Sequence, residues 1–356
     1  MKSIADYVEL EPLYYQQILD NFEKLFLKAI DLKAVHSLKA VVLFATGSSS
    51  NAAYAARPFM SKILHLPVFI EEPSMAANYL YNEDKSTLYI AISQGGHSYS
   101  IVNLIKQFQQ QNQTIYALTS DDNSPVYQSS EHVLTMGMPI EEMPYVSAGY
   151  SVTILDLILI SLTLANQLQI LSMEQLQLYK DKIQQIITQL PTVIKNSKEW
   201  VAKQQELFVN AKRIIFIGYG STYGMAREGE TKITETVHIT ALGKELEEYM
   251  HGPYIGLHED DYIIFLEPQG KLESRAIALK KFLQEHVQHI FTIYAGTTNS
   301  KNNSDLCLDI NCDELLTSLF MTIPIHLLSY HVSKLTGHNL EISTYPEFDE
   351  ITKSKI

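Results

Sequence analysis

Short, uninterrupted apolar runs recur along the chain, each followed by a Gly/Ser-rich turn and then by apolar residues at helical spacing. AVVLF from Ala40, LYIAI from Leu88, RIIFIG from Arg213 and YIIFLE from Tyr262 are strand-length and carry little polar alternation. That is the signature of strands buried on both faces of a parallel sheet, with helices supplying the covering layers. The runs also repeat. AVVLFATGSSSNAAYAA from Ala40 matches RIIFIGYGSTYGMAREG from Arg213, with Gly47 against Gly220, Ser49 against Thr222 and Ala53 against Ala226. LYIAISQGGHS from Leu88 answers YIIFLEPQGKLES from Tyr262, and IYALTSDDNS answers IYAGTTNS, at a constant offset of roughly 175 residues. A repeat at domain length means one fold laid down twice.

The pattern therefore predicts an α/β protein of two tandem doubly wound, parallel-sheet domains. The first occupies residues 36–168 and the second 209–340, joined by linker helices over 169–208, where Gln/Lys-rich sequence carries Ile and Leu at helical spacing and Pro191 interrupts the run. A helical segment over 1–35 precedes them, its helix spanning Leu13 to Leu32 with Pro12 at the start. A polar tail, 341–356, follows and needs a docking site to be ordered. The most apolar stretch, Val152 to Ala165, contains Asp156 and falls short of the roughly 20 residues a membrane span needs, so it reads as a buried core helix.

Composition narrows the partners. The chain has 356 residues, 46% hydrophobic and 19% charged, with 40 acidic against 27 basic side chains and a formal charge of −13. Such a chain repels nucleic acid and anionic membrane surfaces. Cys307 and Cys312 are too few for a disulfide framework, no His/Asp/Glu cluster has metal-ligand spacing, and acidic residues stand where a signal peptide has its apolar run. The expectation is a cytoplasmic protein without metal or organic cofactor.

In a doubly wound sheet ligands bind beyond the carboxyl ends of the strands. There lie Thr46-Gly47-Ser48-Ser49-Ser50-Asn51 and Ser93-Gln94-Gly95-Gly96-His97-Ser98, which offer N–H groups, hydroxyls and helix dipoles and so could cradle a phosphate without Lys or Arg. Taken singly they are equally N-caps and tight turns. Neither is a GxxxxGK(S/T) phosphate loop or a GxGxxG turn. The second copy has Pro268 in place of Ser93, and its phosphate loop reads as degenerate. It carries instead Glu228, Lys232 and Glu235, whose i, i+4, i+7 spacing confines them to an arc of about 60°. That is an acid–base pair around an ammonium, or an ordinary surface ion-pair stripe. His251, before Gly252-Pro253 and after the Glu245, Glu247 and Glu248 run, is a proton shuttle or a structural histidine.

At these residues the chain resembles the tandem SIS (sugar isomerase) family, being similar to the isomerase half of glucosamine-6-phosphate synthase and to fructosamine-6-phosphate deglycases. The family's first-copy signatures, roughly GTS and SQSGET, correspond to Gly47-Ser48-Ser49 and Ser93 to Ser98; its second-copy signatures, roughly EGALKLKE and GELKHGP, correspond to Glu228 to Glu235 and Glu247 to Pro253. The resemblance implies that Ser93, Gln94, Gly95 and Ser98 hold a phosphate and that Ser48, Ser49 and Ser147 meet sugar hydroxyls. It further implies that Glu235 is the proton-transfer base beside Glu228 and Lys232, and that His251 opens the sugar ring from the neighbouring subunit of a homodimer. Gly95 departs from the family's serine. The family's PRNLAKS-like tail, whose lysine reaches the sugar, is replaced by Tyr345 to Lys355, with Lys353 the nearest match and Lys355 the alternative. The chain shows no glutaminase segment before its first helix, so removal of an amine from a phosphorylated sugar is the expected reaction. The alternatives are aldose–ketose phosphate isomerisation and non-catalytic sugar-phosphate sensing. Acidic residues before His251 and the neighbourhood of Tyr145 would favour a cationic amine.

Overall fold

A computed structural model describes residues 1–27, 30, 38–80, 84–298 and 302–356. The apolar runs form two five-stranded sheets. The first comprises β1 (Ala40–Phe44), β2 (Val68–Glu71), β3 (Thr87–Ile92), β4 (Tyr116–Thr119) and β5 (His132–Thr135) in the order β2-β1-β3-β4-β5. The second comprises β6 (Arg213–Gly218), β7 (Thr240–Glu245), β8 (Tyr262–Glu267), β9 (His289–Tyr294) and β10 (Leu306–Cys307) in the order β7-β6-β8-β9-β10. Every pair is parallel, and both sheets follow the flavodoxin-type order 2-1-3-4-5. The repeat in the sequence is thus a repeat in topology.

The principal helices are α1 (Ile4–Phe22), α2 (Gly47–Leu64), α3 (Tyr99–Gln110), α4 (Ala148–Gln167), α5 (Met173–Phe208), α6 (Thr222–Val237), α7 (Glu273–Leu283) and α8 (Ile323–Leu335). Each sheet buries a face of aliphatic and aromatic side chains against its helices. In the first, Phe44, Tyr89 and Phe108 pack with ring centroids 4.9–5.9 Å apart. In the second, Ile215, Ile217, Phe265, Leu279 and Leu283 close the equivalent core. The chain divides into two compact units that interleave along it. One contains residues 1–12, 143–151 and 185–341, and the other 13–142, 152–184 and 342–356.

Two expectations change in detail. The first helix begins at Ile4, not at Leu13, and Pro12 lies inside it. Ser3 and Asp6 form a reciprocal cap, Ser3 N donating to Asp6 Oδ2 at 2.8 Å and Asp6 N to Ser3 Oγ at 3.2 Å. Ile4, Tyr7, Val8 and Glu11 are all buried, so packing outweighs the one backbone bond that Pro12 removes. The segment 169–208 holds a single helix, α5, that runs continuously through Pro191. The stretch to Leu32, and the boundary at 35/36, lie outside the described residues.

The core helix expected around Asp156 is present as α4. Among the described residues, two segments are long and apolar enough to cross a membrane, Ala148–Gln167 and Glu314–Leu335, and they are 100% and 83% buried within the protein. Asp156 is fully buried in α4, and burial raises its pKa well above the carboxylate range, so the neutral acid is the form the core accommodates.

Candidate functional site

In the unit built on the first sheet, β1 and β3 are hydrogen-bonded neighbours, with Phe44 opposite Ala91. Their carboxyl ends therefore release the two Gly/Ser loops side by side, at the point where the strand order reverses. Gly47, at φ 57°, turns the first loop into α2, whose N-cap Thr46 makes no side-chain cap bond. Ser48 and Ser49 stand half-buried on the first turn. In the second loop Ser93 and Gln94 are buried, and the backbone is tied down on both sides. Ser93 N donates to Leu118 O at 3.0 Å, Gly96 N to Ser93 O at 3.1 Å, and Ser120 N to Gln94 O at 3.0 Å. The Gln94 side chain, only 7% exposed, has its Nε2 without a hydrogen-bond partner. A buried amide left in that state costs about 1–3 kcal/mol, so it is poised for an acceptor supplied from outside. Gly96 takes φ 68° and lies against Ser124, whereas a Cβ at Gly95 would meet nothing within 4 Å, so the family's serine would fit there. Ser98 is the N-cap of α3 and makes no cap bond; its Oγ lies 3.1 Å from Ser100 Oγ.

The C-terminal tail finds its docking site on this second loop. Ser98 and Lys355 form an antiparallel bridge, Tyr99 N donates to Ser354 O at 3.2 Å, and Ile356 N donates to His97 O at 3.0 Å. Lys355 is thus the tail lysine aligned with Ser98, its ammonium 3.4 Å from Asp349. Lys353, at φ 55°, ends the short helix Phe348–Thr352.

In the other unit, α6 lies directly on β6 and β7. A Cβ on Gly229 would come within 2.8 Å of the Phe216 ring, and one on Gly243 within 2.3 Å of Ala226 O, so glycine on helix and strand permits the close approach. α8 also packs on α6, and Glu228 and Lys232 are buried, at 0% and 1% exposure, while Glu235 at the rim stays 41% exposed. Lys232 Nζ is 3.7 Å from Glu228 Oε1 and 2.8 Å from Glu235 Oε2. Glu228, Lys232 and Glu235 are therefore brought together as a row whose first two members are buried and whose last is exposed, not as a fully solvated stripe. Ser147 belongs to the same unit and is fully buried, its carbonyl accepting Tyr150 N at 3.1 Å. His251 is outside the row. It caps the short helix Leu246–Met250, is exposed, and has Nδ1 2.7 Å from Glu247 O. Of the acidic residues before it, Glu245 caps that helix by accepting Glu247 N and Glu248 N, and Glu247 is ion-paired with Arg275 at 2.6 Å. Both already have structural work. Sequence reading missed His326 and Tyr150, which share the core with Glu228; the available signal was a histidine, His326, set among the apolar residues that open α8.

The second copy's equivalent of the Gln94 loop carries its own anions. Gln269 N donates to Glu267 Oε1 at 2.7 Å, Lys271 N to Glu314 Oε2 at 2.9 Å, and Gly270 N to Tyr219 Oη at 3.0 Å. The tyrosine in turn donates to Glu267. Built-in carboxylates thus take N–H donors that a phosphate would need. Burial, partly offset by the Tyr219 hydroxyl, pushes the Glu267 pKa up from 4.5 to about 7. The folded state therefore binds this proton more tightly than the unfolded chain. The stabilisation is complete below pH 4.5 and is lost as pH rises to about 7, a change of roughly 3 kcal/mol. Denaturant titrations of wild type and Glu267→Gln across that window should show their stability difference changing by this order, and parallel curves would refute it.

Two identically ordered doubly wound sheets, one with open Gly/Ser loops and one beneath a buried carboxylate–ammonium pair, define a tandem doubly wound α/β architecture. The chain belongs to the SIS domain family, whose profile matches residues 35–166 and 207–333. It is 23% identical over 320 residues to the isomerizing glutamine–fructose-6-phosphate aminotransferase of Acinetobacter baylyi, covering 86% of this chain and 51% of that protein. The chain therefore spans about half the length of such relatives. Among solved structures, a Clostridium difficile 630 protein provisionally described as a phosphosugar isomerase superposes with TM-score 0.90 at 26% identity, covering 99% of this chain and 98% of that one. The C-terminal domain of glucosamine-fructose-6-phosphate aminotransferase from Francisella tularensis superposes with TM-score 0.86 at 20% identity, covering 96% and 98% respectively, a likeness of fold.

Proposed function

We propose that this chain releases an amine from a ketosamine 6-phosphate, or from a related amino sugar phosphate, by proton transfer within the sugar. The observation that carries this reading is the half-exposed Glu235 carboxylate, ion-paired at 2.8 Å to a buried ammonium that a second buried carboxylate anchors. Such a group is a fixed base at the edge of the protein, with an electrophile beside it. The Gln94 loop, with its unpartnered buried amide and the tail lysine strand alongside, supports binding of the phosphate by Ser93, Gln94, Gly95 and Ser98. In the homodimer the family resemblance implies, His251 of the neighbouring subunit assists opening of the ring, and Ser48, Ser49 and Ser147 take sugar hydroxyls.

With the ring open, Glu235 removes a proton from C1, next to the C2 carbonyl, and the C1–C2 enolamine forms with Lys232 stabilising the developing oxyanion. Return of the proton to C2, with the amine nitrogen giving up its proton and the C2 oxygen gaining one, leaves a C1 imine and a C2 hydroxyl, and water hydrolyses the imine to hexose 6-phosphate and free amine. The protons and electron pairs balance without a redox partner. Similarity to a protein described as a phosphosugar isomerase favours a second reading, aldose–ketose isomerisation, which stops before hydrolysis. Incubation with fructosamine 6-phosphates and glucosamine 6-phosphate, followed by mass spectrometry of released amines, separates the two. Amine with hexose 6-phosphate supports the proposal; isomerised sugar alone indicates the second reading; binding without turnover indicates a sensor.

Gln94→Ala tests the phosphate loop. Losing the amide should raise KM for a sugar phosphate roughly 5- to 100-fold with kcat little changed. Inorganic phosphate should inhibit the variant correspondingly less, and an unchanged KM would remove Gln94 from the binding loop.

A further inference from the structure

The buried row does not end at Glu228. His326 Nε2 lies 3.6 Å from Glu228 Oε1, the same oxygen that faces Lys232 Nζ at 3.7 Å. His326 comes from α8, which packs on α6, and both His326 and Glu228 are 0% exposed. At 3.6 Å the contact is a charge–dipole interaction slightly longer than a hydrogen bond. Neither ring nitrogen of His326 has a hydrogen-bond partner. On its other side stands the Tyr150 ring, edge-to-face at 5.7 Å and 82°, whose hydroxyl and that of Thr322, one turn before His326, are also unpartnered.

We propose that His326 is a positioning residue for the proton-transfer row: as a neutral imidazole with Nε2–H facing Glu228, it fixes that carboxylate and thereby the Lys232 ammonium that holds Glu235. The proposal rests on the reading of Glu235 as base. Three physical points carry it. Two acceptors facing each other would repel, so the nitrogen turned towards a carboxylate oxygen is the protonated one. A cationic His326 would place a second positive charge on the Glu228 oxygen that anchors Lys232 and loosen that anchor. Burial also pushes the imidazole pKa below its ordinary value despite the nearby carboxylate. The titratable and charged groups facing His326 are Glu228 and Lys232 from α6 and Tyr150 from α4, whose phenol also feels Glu11 of α1.

Lys232 has a flexible four-carbon stem, so its ammonium goes where its carboxylates are held. Loosening Glu228 moves the cation, and the base with it, and small misplacements of a reacting group are enough to lose about 10²-fold in rate.

Imidazole 15N NMR of the intact protein provides a readout that needs no substrate. The His326 ring should be the Nε2–H tautomer, should not titrate between about pH 6 and 8, and its Nε2 resonance should move in Glu228→Gln. An Nδ1–H tautomer, titration in that window, or an unmoved resonance would overturn the proposal. For function, His326→Leu should lower kcat for fructosamine 6-phosphate by roughly 10- to 100-fold with KM within about twofold, while His326→Gln, which keeps a donor at the Nε2 position, should recover most of the rate. Equal losses in the two variants, both folded by thermal unfolding, would also overturn it. Should His326→Leu fail to fold, the His326→Gln rate and the NMR tautomer decide. Retained activity in Glu235→Gln would sink the base assignment alone, leaving the tautomer and its coupling to Glu228 as the separate test of His326.

Discussion

Replacing Glu235 by Gln is expected to lower kcat by roughly 10²- to 10⁴-fold and to change KM for the sugar phosphate only slightly. The amide keeps the shape of the carboxylate and still offers Lys232 an acceptor, but it cannot take a proton from C1. Because Glu235 is 41% exposed, its ion pair with Lys232 adds little to stability, and the variant should unfold within about 1 kcal/mol of wild type. The loss would then be chemical. Steady-state turnover together with exchange of the C1 hydrogen in deuterated water measures the step directly. Turnover at the wild-type rate would remove Glu235 from the mechanism.

Lys232→Met should have the largest effect on stability. The substitution leaves Glu228 at 0% exposure without the ammonium 3.7 Å away, and a buried carboxylate that loses its partner costs about 3–5 kcal/mol. His326 cannot replace the cation while it is neutral. The double variant Glu228→Gln/Lys232→Met removes the stranded charge and should regain most of the loss, so a double-mutant cycle in denaturant should show a strongly favourable coupling between the two positions. A loss below about 1 kcal/mol in Lys232→Met would mean that Glu228 takes up a proton without penalty. If the pair matters for chemistry as well as for folding, the double variant will be stable and inactive. That combination separates the two roles.

Much of the architecture was legible because it rests on local pattern. The duplicated apolar runs identified both sheets, and the Gly/Ser turns following Phe44 and Ile92 marked where an anion could bind. The spacing of Glu228, Lys232 and Glu235 put them on one helical face, as found. What spacing could not decide was whether that face met water or the core. The answer depends on α8, which packs on α6 and brings His326 to Glu228 from far along the chain. Pro12, placed at the helix start by the sequence, instead lies inside α1, where the buried face of the helix absorbs its cost and Ser3 and Asp6 form the cap.

By itself, then, the sequence determined the repeat, the strand and helix periods, and the identity of the groups proposed to bind an anion or move a proton, since these are properties of neighbouring residues. Tertiary structure alone decided which of those groups are buried and who their partners are. Glu314 reaches Lys271 N from 43 residues away, His326 reaches Glu228 across two helices, and the tail settles on Ser98 from the far end of the chain. Burial turns an ordinary charged pattern into a fixed ion-pair row, because the strength of a charge interaction is set by the medium that long-range packing builds around it.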